Sequence, residues 1–147
     1  MKTLILAGAF AMAALTAQAE LVTREAPTSV INTMDALETA VTDAGASVVA
    51  RVNHGMAAKG VGLEMNDAEL LIFGNPKLGT QAMQADPRAG LFLPMKVLVY
   101  ADAEGKTHIV YEDPTSMLSK TDVPADAEFL KTMTGALDKF STAAAGG

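Results

Sequence analysis

Glu69-Leu70-Leu71-Ile72-Phe73-Gly74-Asn75-Pro76-Lys77 is the stretch whose reading decides the fold. Leu70 to Phe73 are apolar on both faces of an extended chain, which predicts a central strand covered on both sides. Gly74-Asn75-Pro76 ends it abruptly, because proline has no amide to offer a sheet ladder. The turn from Phe73 to Thr80 therefore leaves a strand and enters a helix. That short helix is predicted to start at Gly79-Thr80, with Thr80 as its cap, and to run through Met83. Asp86-Pro87 closes it, since the residue before proline avoids helical geometry.

Upstream, Ser47 to His54 alternates Val48, Ala50 and Val52 against Val49, Arg51 and Asn53, the pattern of a half-buried strand. Gly55 to Gly60 reads as a small-residue loop. Val61, Leu63 and Met65 alternate again and predict a further strand, ended by the turn Asn66-Asp67. Leu21-Val22-Thr23 is predicted to form a short strand. Ala26-Pro27-Thr28-Ser29 opens a helix through its proline and hydroxyl caps. Val30, Met34, Leu37 and Val41 recur at helical spacing, and Gly45 stops that helix.

Downstream, Lys96 to Asp102 and Thr107 to Glu112 are two strands joined by Ala103-Glu104-Gly105. Pro124 to about Ala143 forms a closing amphipathic helix with Leu130, Met133, Leu137 and Phe140 on one stripe. Residues 144–147 are expected to be a disordered tail. There is no internal repeat and no interdomain linker. The expectation is a single α+β domain over residues 20–143, an antiparallel sheet with helices packed on one face.

The 147 residues include 17 acidic and 11 basic side chains and no cysteine. Half the residues are hydrophobic, but the first nineteen are so apolar that residues 20–147 fall to about 46%. Lys2 followed by an apolar run to Leu15, then Ala17-Gln18-Ala19 before Glu20, has the order of a secretory signal peptide. The run is shorter than the ~20 residues that span a bilayer. The expected mature chain begins near Glu20, carries a net charge of −7, and works in the periplasm or as a secreted protein, with no membrane attachment after cleavage. A chain so acidic, with no basic run, has no footprint for phosphate backbones, so nucleic acid is excluded as a partner. The missing cysteines exclude disulfides, thiol catalysis and iron–sulfur clusters together.

The stretch Glu69 to Lys77, followed by Asp86-Pro87, Leu93-Pro94, Val97-Leu98-Val99-Tyr100 and Asp113-Pro114, resembles the domain of unknown function 302 (DUF302) family. The resemblance covers roughly Val22 to Lys139. It implies a β-α-β(4)-α domain like half of the TATA-box-binding-protein architecture, paired as a homodimer. It implies no reaction, no cofactor and no catalytic residues, and fold likeness alone carries no DNA binding. Many members have cysteine after the Leu-Pro pair, where Met95 stands here, so no thiol chemistry follows from the resemblance.

Candidate sites come from local chemistry. In the turn Phe73 to Thr80, Asn75, Lys77, Thr80 and free backbone amides could converge on a small anion, although the order of a phosphate loop is absent. The structural alternative is a bend set by Gly74 and Pro76. His54 ends a strand beside a small-residue loop, so it is a fourth ligand-binding candidate and the candidate acid or base of an enzyme. With Met56 it is also the candidate metal site, against which stands the absence of H-x-H or H-x-x-x-H spacing. The remaining methionines read as core filling, Met65 on a strand face among them. Paired carboxylates such as Asp67 with Glu69, or Glu112 with Asp113, read as solvated surface. The apolar run Ala89 to Pro94 either packs under the sheet or forms a dimer face through Leu91, Phe92 and Leu93. The expected function is a non-catalytic module that binds a small ligand or a protein partner as a homodimer, with no metal and no cofactor.

Overall fold

The computed structural model describes residues 20–147; the expected signal peptide lies outside them. Five strands form one antiparallel sheet: β1 (Leu21–Ala26), β2 (Ser47–Asn53), β3 (Ala68–Gly74), β4 (Met95–Ala101) and β5 (Thr107–Glu112), in the order β1-β5-β4-β3-β2. Helix α1 (Val30–Asp43) follows β1, α2 (His54–Gly60) follows β2, and α3 (Pro76–Ala85) follows β3. A 3-10 turn over Pro87–Leu91 leads into β4, and α4 (Pro114–Met117) and α5 (Glu128–Ala144) close the chain. The α+β expectation and its order of strand, helix, four strands and helix hold.

One face of the sheet carries the core. Leu71 and Phe73 of β3, Val97 and Val99 of β4, and Ile109 and Tyr111 of β5 are buried there under α1 and α5. The helical stripes match: Val30, Met34, Leu37 and Val41 from α1 meet Leu130, Met133, Leu137 and Phe140 from α5, all buried. Each such side chain contributes about 1.5–3 kcal/mol by leaving water. Ser29 caps α1, its side chain accepting the Asn32 amide, and Gly105 supplies the left-handed residue of the β4–β5 hairpin at φ +80°.

Several expectations need correction. Leu70 and Ile72 lie on the opposite face of β3 and are only half-buried, so the helices cover this strand on one side. The central strand is β4. Residues 61–65 are not a strand: Val61, Leu63 and Met65 are 74%, 65% and 46% exposed and have no partner strand. The segment read as a loop after His54 is the short helix α2, capped by the Asn53 side chain on the Met56 amide.

The regular alternation of β2 is broken by a bulge. Val48 pairs with Phe73 but Ala50 with Ile72, leaving Val49 extra. Val48 therefore faces the helices while Ala50 and Val52 face away, and Arg51 and Asn53 take the helix side. Residues 144–147 are not a loose tail: Ala144 is buried, and the Gly147 amide donates to the Thr142 carbonyl at 3.0 Å.

Candidate functional site

The turn after β3 builds one wall of a cavity. Asn75 has extended backbone geometry and its side chain accepts the Lys77 amide at 3.0 Å, which makes Asn75 the N-cap of α3 and Pro76 its first residue. The helix thus begins three residues earlier than Gly79, and Thr80 lies within it rather than capping it. Its start, the Ala44–Ser47 turn before β2, the entry to β4 and the side of α5 enclose a hollow of about 460 Å³, within the usual range for small-molecule sites.

Its floor is apolar: Phe73, Met95, Met133, Leu137 and Phe140 line it and are buried. Phe73 and Phe140 meet edge to face, ring centroids 5.9 Å apart. Leu78, Met83, Leu93 and Ala136 form the sides, and the exposed Ser47, Asn75, Thr80 and Thr132 supply polar groups at the rim. No charged side chain lines it among the described residues. A second hollow beside β1, α4 and α5 carries Asp113 and Asp138. Both are already engaged: Asp113 accepts the Thr115 and Ser116 amides, and Asp138 pairs with Arg24.

Of the four ligand-binding candidates, Asn75 and Thr80 reach the cavity and Lys77 and His54 do not. Lys77 is exposed on α3. His54 is exposed at the start of α2, at the far end of β2 from Ser47, about 20 Å away along the strand. No carboxylate is hydrogen-bonded to it, and no group of three or more His, Asp or Glu able to hold a metal occurs among the described residues. Met56 is 69% exposed. The acid–base and metal alternatives thus have no assembled site around His54. Of the run Leu91 to Leu93, Leu93 lines the cavity, Phe92 packs against the core, and Leu91 is 82% exposed.

Three polar clusters escaped the sequence reading. Glu69, expected in solvent, is buried, with Oε2 2.5 Å from Arg51 Nε and Oε1 2.8 Å from Asn53 Nδ2. Arg51 also reaches Asp35 and Glu38 on α1. Partial burial pushes its guanidinium pKa down, but the hydrogen bonds it donates to Asp35 and Glu69 outweigh that and raise it. Asp86, also buried, binds Arg88 and accepts the Arg88 and Asp122 amides, which hold its carboxyl well below the usual carboxylate range. His108 Nε2 sits 2.7 Å from Asp102 Oδ2, and this hydrogen bond leads the causes that lower the Asp102 pKa. None of the three clusters opens into the cavity. The first two bind elements together; the third ties the two arms of the β4–β5 hairpin beside its turn.

The DUF302 family model, described as a domain of unknown function, matches residues 22–140. The chain belongs to the DUF302 family. The fold is that of an uncharacterized conserved DUF302 protein from Bacillus stearothermophilus, with a TM-score of 0.68, 22% identity, and coverage of 86% of this chain and 95% of that one. Among curated proteins, the fluoride-specific ion channel FluC 1 of Brucella suis is 34% identical over 125 residues, 82% of this chain and 49% of that protein. FluC 2 of Brucella melitensis is 34% identical over 82% of this chain and 46% of its own length. The chain thus spans about half the length of these curated relatives. Among the described residues of this DUF302 domain, no helix is long and apolar enough to cross a membrane.

Proposed function

We propose that this DUF302 protein is a non-catalytic, secreted, homodimeric module that holds a small, mainly apolar molecule in the cavity between β3, α3 and α5. The observation that carries the reading is the cavity itself: an apolar floor with hydroxyl and amide groups only at its rim. Such a lining favours a neutral ligand with an apolar body and a few hydrogen-bonding groups. The anionic ligand expected from the sequence fits less well, since Lys77 stays outside and residues 20–147 carry a net charge of −7. The same charge argues against carrying over fluoride binding from the channel relatives. Secretion is supported by the signal-peptide pattern of residues 1–19.

A thermal-shift screen of the purified protein against a library rich in neutral apolar molecules tests the reading. A ligand at 100 times its dissociation constant stabilises by ~2.7 kcal/mol. Saturable hits and a dimer by light scattering are expected. No hit from such a library, with a monomer in solution, would sink the proposal.

A further inference from the structure

The face of the sheet turned away from α1 and α5 is apolar where an ordinary half-covered sheet is polar. The strand register sets Val52 opposite Leu70, Leu70 opposite Leu98, Leu98 opposite Val110 and Val110 opposite Thr23. Four aliphatic side chains thus form one row across four neighbouring strands, and Ile72 and Tyr100 flank it. All six are only half-buried, whereas Leu71, Val97, Val99 and Ile109 on the helix side are at most 1% exposed. Antiparallel sheets with one wet face alternate apolar in and polar out. β3 and the middle of β4 do not, which is why Leu70 to Phe73 read as a strand covered on both sides. The single chain supplies only one of those covers.

We infer that the second cover is another copy of this chain, packed sheet against sheet over the row Val52-Leu70-Leu98-Val110. The inference rests on the homodimer of the proposed function and assigns its interface. Size is the first argument. Five strands at ~4.8 Å spacing and about six residues at ~3.3 Å give a projected face of roughly 480 Å². That area includes the polar margin, and its apolar centre is of the size that on monomers is often functional. Two such faces, each with Leu21, 64% exposed, at a corner, bury about 960 Å² together, the small end of specific interfaces.

Shape and charge select the occupant. A flat aliphatic sheet is complementary to its own copy, since facing sheets interdigitate at ~10 Å separation. The charges lie around the row rather than in it, and both signs are present: Lys96, Glu25 and Glu112. An isologous pair can therefore bury the row without burying a charge. An anionic membrane is disfavoured, because the lysines at the margin of this face are engaged, Lys96 donating to the Phe92 and Pro94 carbonyls and Lys106 pairing with Glu25, and the molecule is acidic overall.

Light scattering on the full purified protein and two face variants, Leu98→Glu and Leu70→Glu, tests the assignment. Both positions are half-exposed, so a lone protomer tolerates glutamate. In the dimer, each variant buries two unpaired charges and should weaken association by about 100-fold or more. Leu91→Glu, on the alternative apolar run, should remain dimeric. A folding failure is sidestepped by Leu98→Cys, which introduces the chain's only thiol. Its labelling by a maleimide should be slow in the dimer and fast on dilution. Persistence of the dimer in both glutamate variants with an unprotected thiol would overturn this interface and leave the dimer standing. Dissociation by Leu91→Glu alone would move the interface to residues 91–93. A monomeric wild type would end both readings, and its sedimentation with neutral phosphatidylcholine vesicles would make the face a lipid surface instead.

Discussion

Arg51 on β2 and Glu69 on β3 are diagonal neighbours across the strand ladder, and their side chains join on the helix side of the sheet with Nε 2.5 Å from Oε2. Glu69 is all but inaccessible, its side chain 7% exposed, while Arg51 keeps a quarter of its surface and reaches Asp35 and Glu38 on α1. The guanidinium is therefore the link by which an edge strand holds the first helix. Removing one partner of a buried pair costs more than the pair is worth, because the other charge stays behind.

Arg51→Met keeps the aliphatic stem but leaves Glu69 with Asn53 alone. The expected loss is about 2–3 kcal/mol, below the value for a fully buried pair because Arg51 is partly wet. Arg51→Met combined with Glu69→Leu should recover most of it. Urea unfolding midpoints at constant slope are the measurement. A double variant no more stable than the single one would show that the pair contributes net stability.

Asp86 predicts the acid limb of the stability curve. Its carboxyl is held low by the Arg88 side chain and by the Asp122 and Arg88 amides, so the folded state prefers it ionised. A depressed pKa contributes stability that is fully present above the ordinary carboxylate value of ~3.9. That stability is lost as pH falls below about 4 towards the lower folded value. Asp86→Asn should thus lower Tm near neutrality and flatten its decline below pH 4, with the two curves converging in acid. Parallel curves down to pH 2 would assign the acid sensitivity elsewhere.

Asn75 and Thr80 both line the cavity but should separate by readout. Asn75→Ala removes the α3 cap and should cost about 1 kcal/mol. Thr80→Val keeps the shape of an exposed side chain inside the helix. It should change stability by less than about 0.5 kcal/mol while altering the affinity of any ligand that hydrogen-bonds at the rim. Chemical unfolding and ligand titration of both variants check this. Equal stability losses would give Thr80 a structural role as well.

The parts legible in the sequence were those with an uninterrupted period. The stripe Leu130-Met133-Leu137-Phe140 and the β4–β5 hairpin needed nothing beyond helical spacing and a glycine turn. Alternation misled twice. Val61, Leu63 and Met65 keep a strand pattern without a strand to pair with, and the bulge at Val49 reverses the phase of β2, so Val48 and Ala50 face opposite sides. The start of α3 was signalled, since an asparagine followed by proline is a cap and a first helical residue. The burial of Glu69 was not signalled, because it depends on which face of β3 meets α1. The cavity was out of reach for a similar reason: its walls come from distant elements, and Phe73, Met95 and Met133 adjoin only after folding.

Ala136, half-buried on α5 at the side of the cavity, offers the sharpest test of ligand binding. Its methyl group borders empty space, so Ala136→Leu can grow into the hollow without displacing Leu137 or Phe140 from the core. Filling a cavity in this way commonly leaves stability unchanged or raises it by about 0.5–2 kcal/mol. The same added carbons occupy volume that a ligand needs, so affinity should fall by about 10-fold or more, equivalent to ~1.4 kcal/mol. Opposite signs for stability and binding cannot come from general damage to the fold. Calorimetric titration of the best thermal-shift hit into both proteins, beside their urea melts, gives the two numbers. Undiminished affinity in a stable Ala136→Leu protein would place the ligand somewhere other than this cavity.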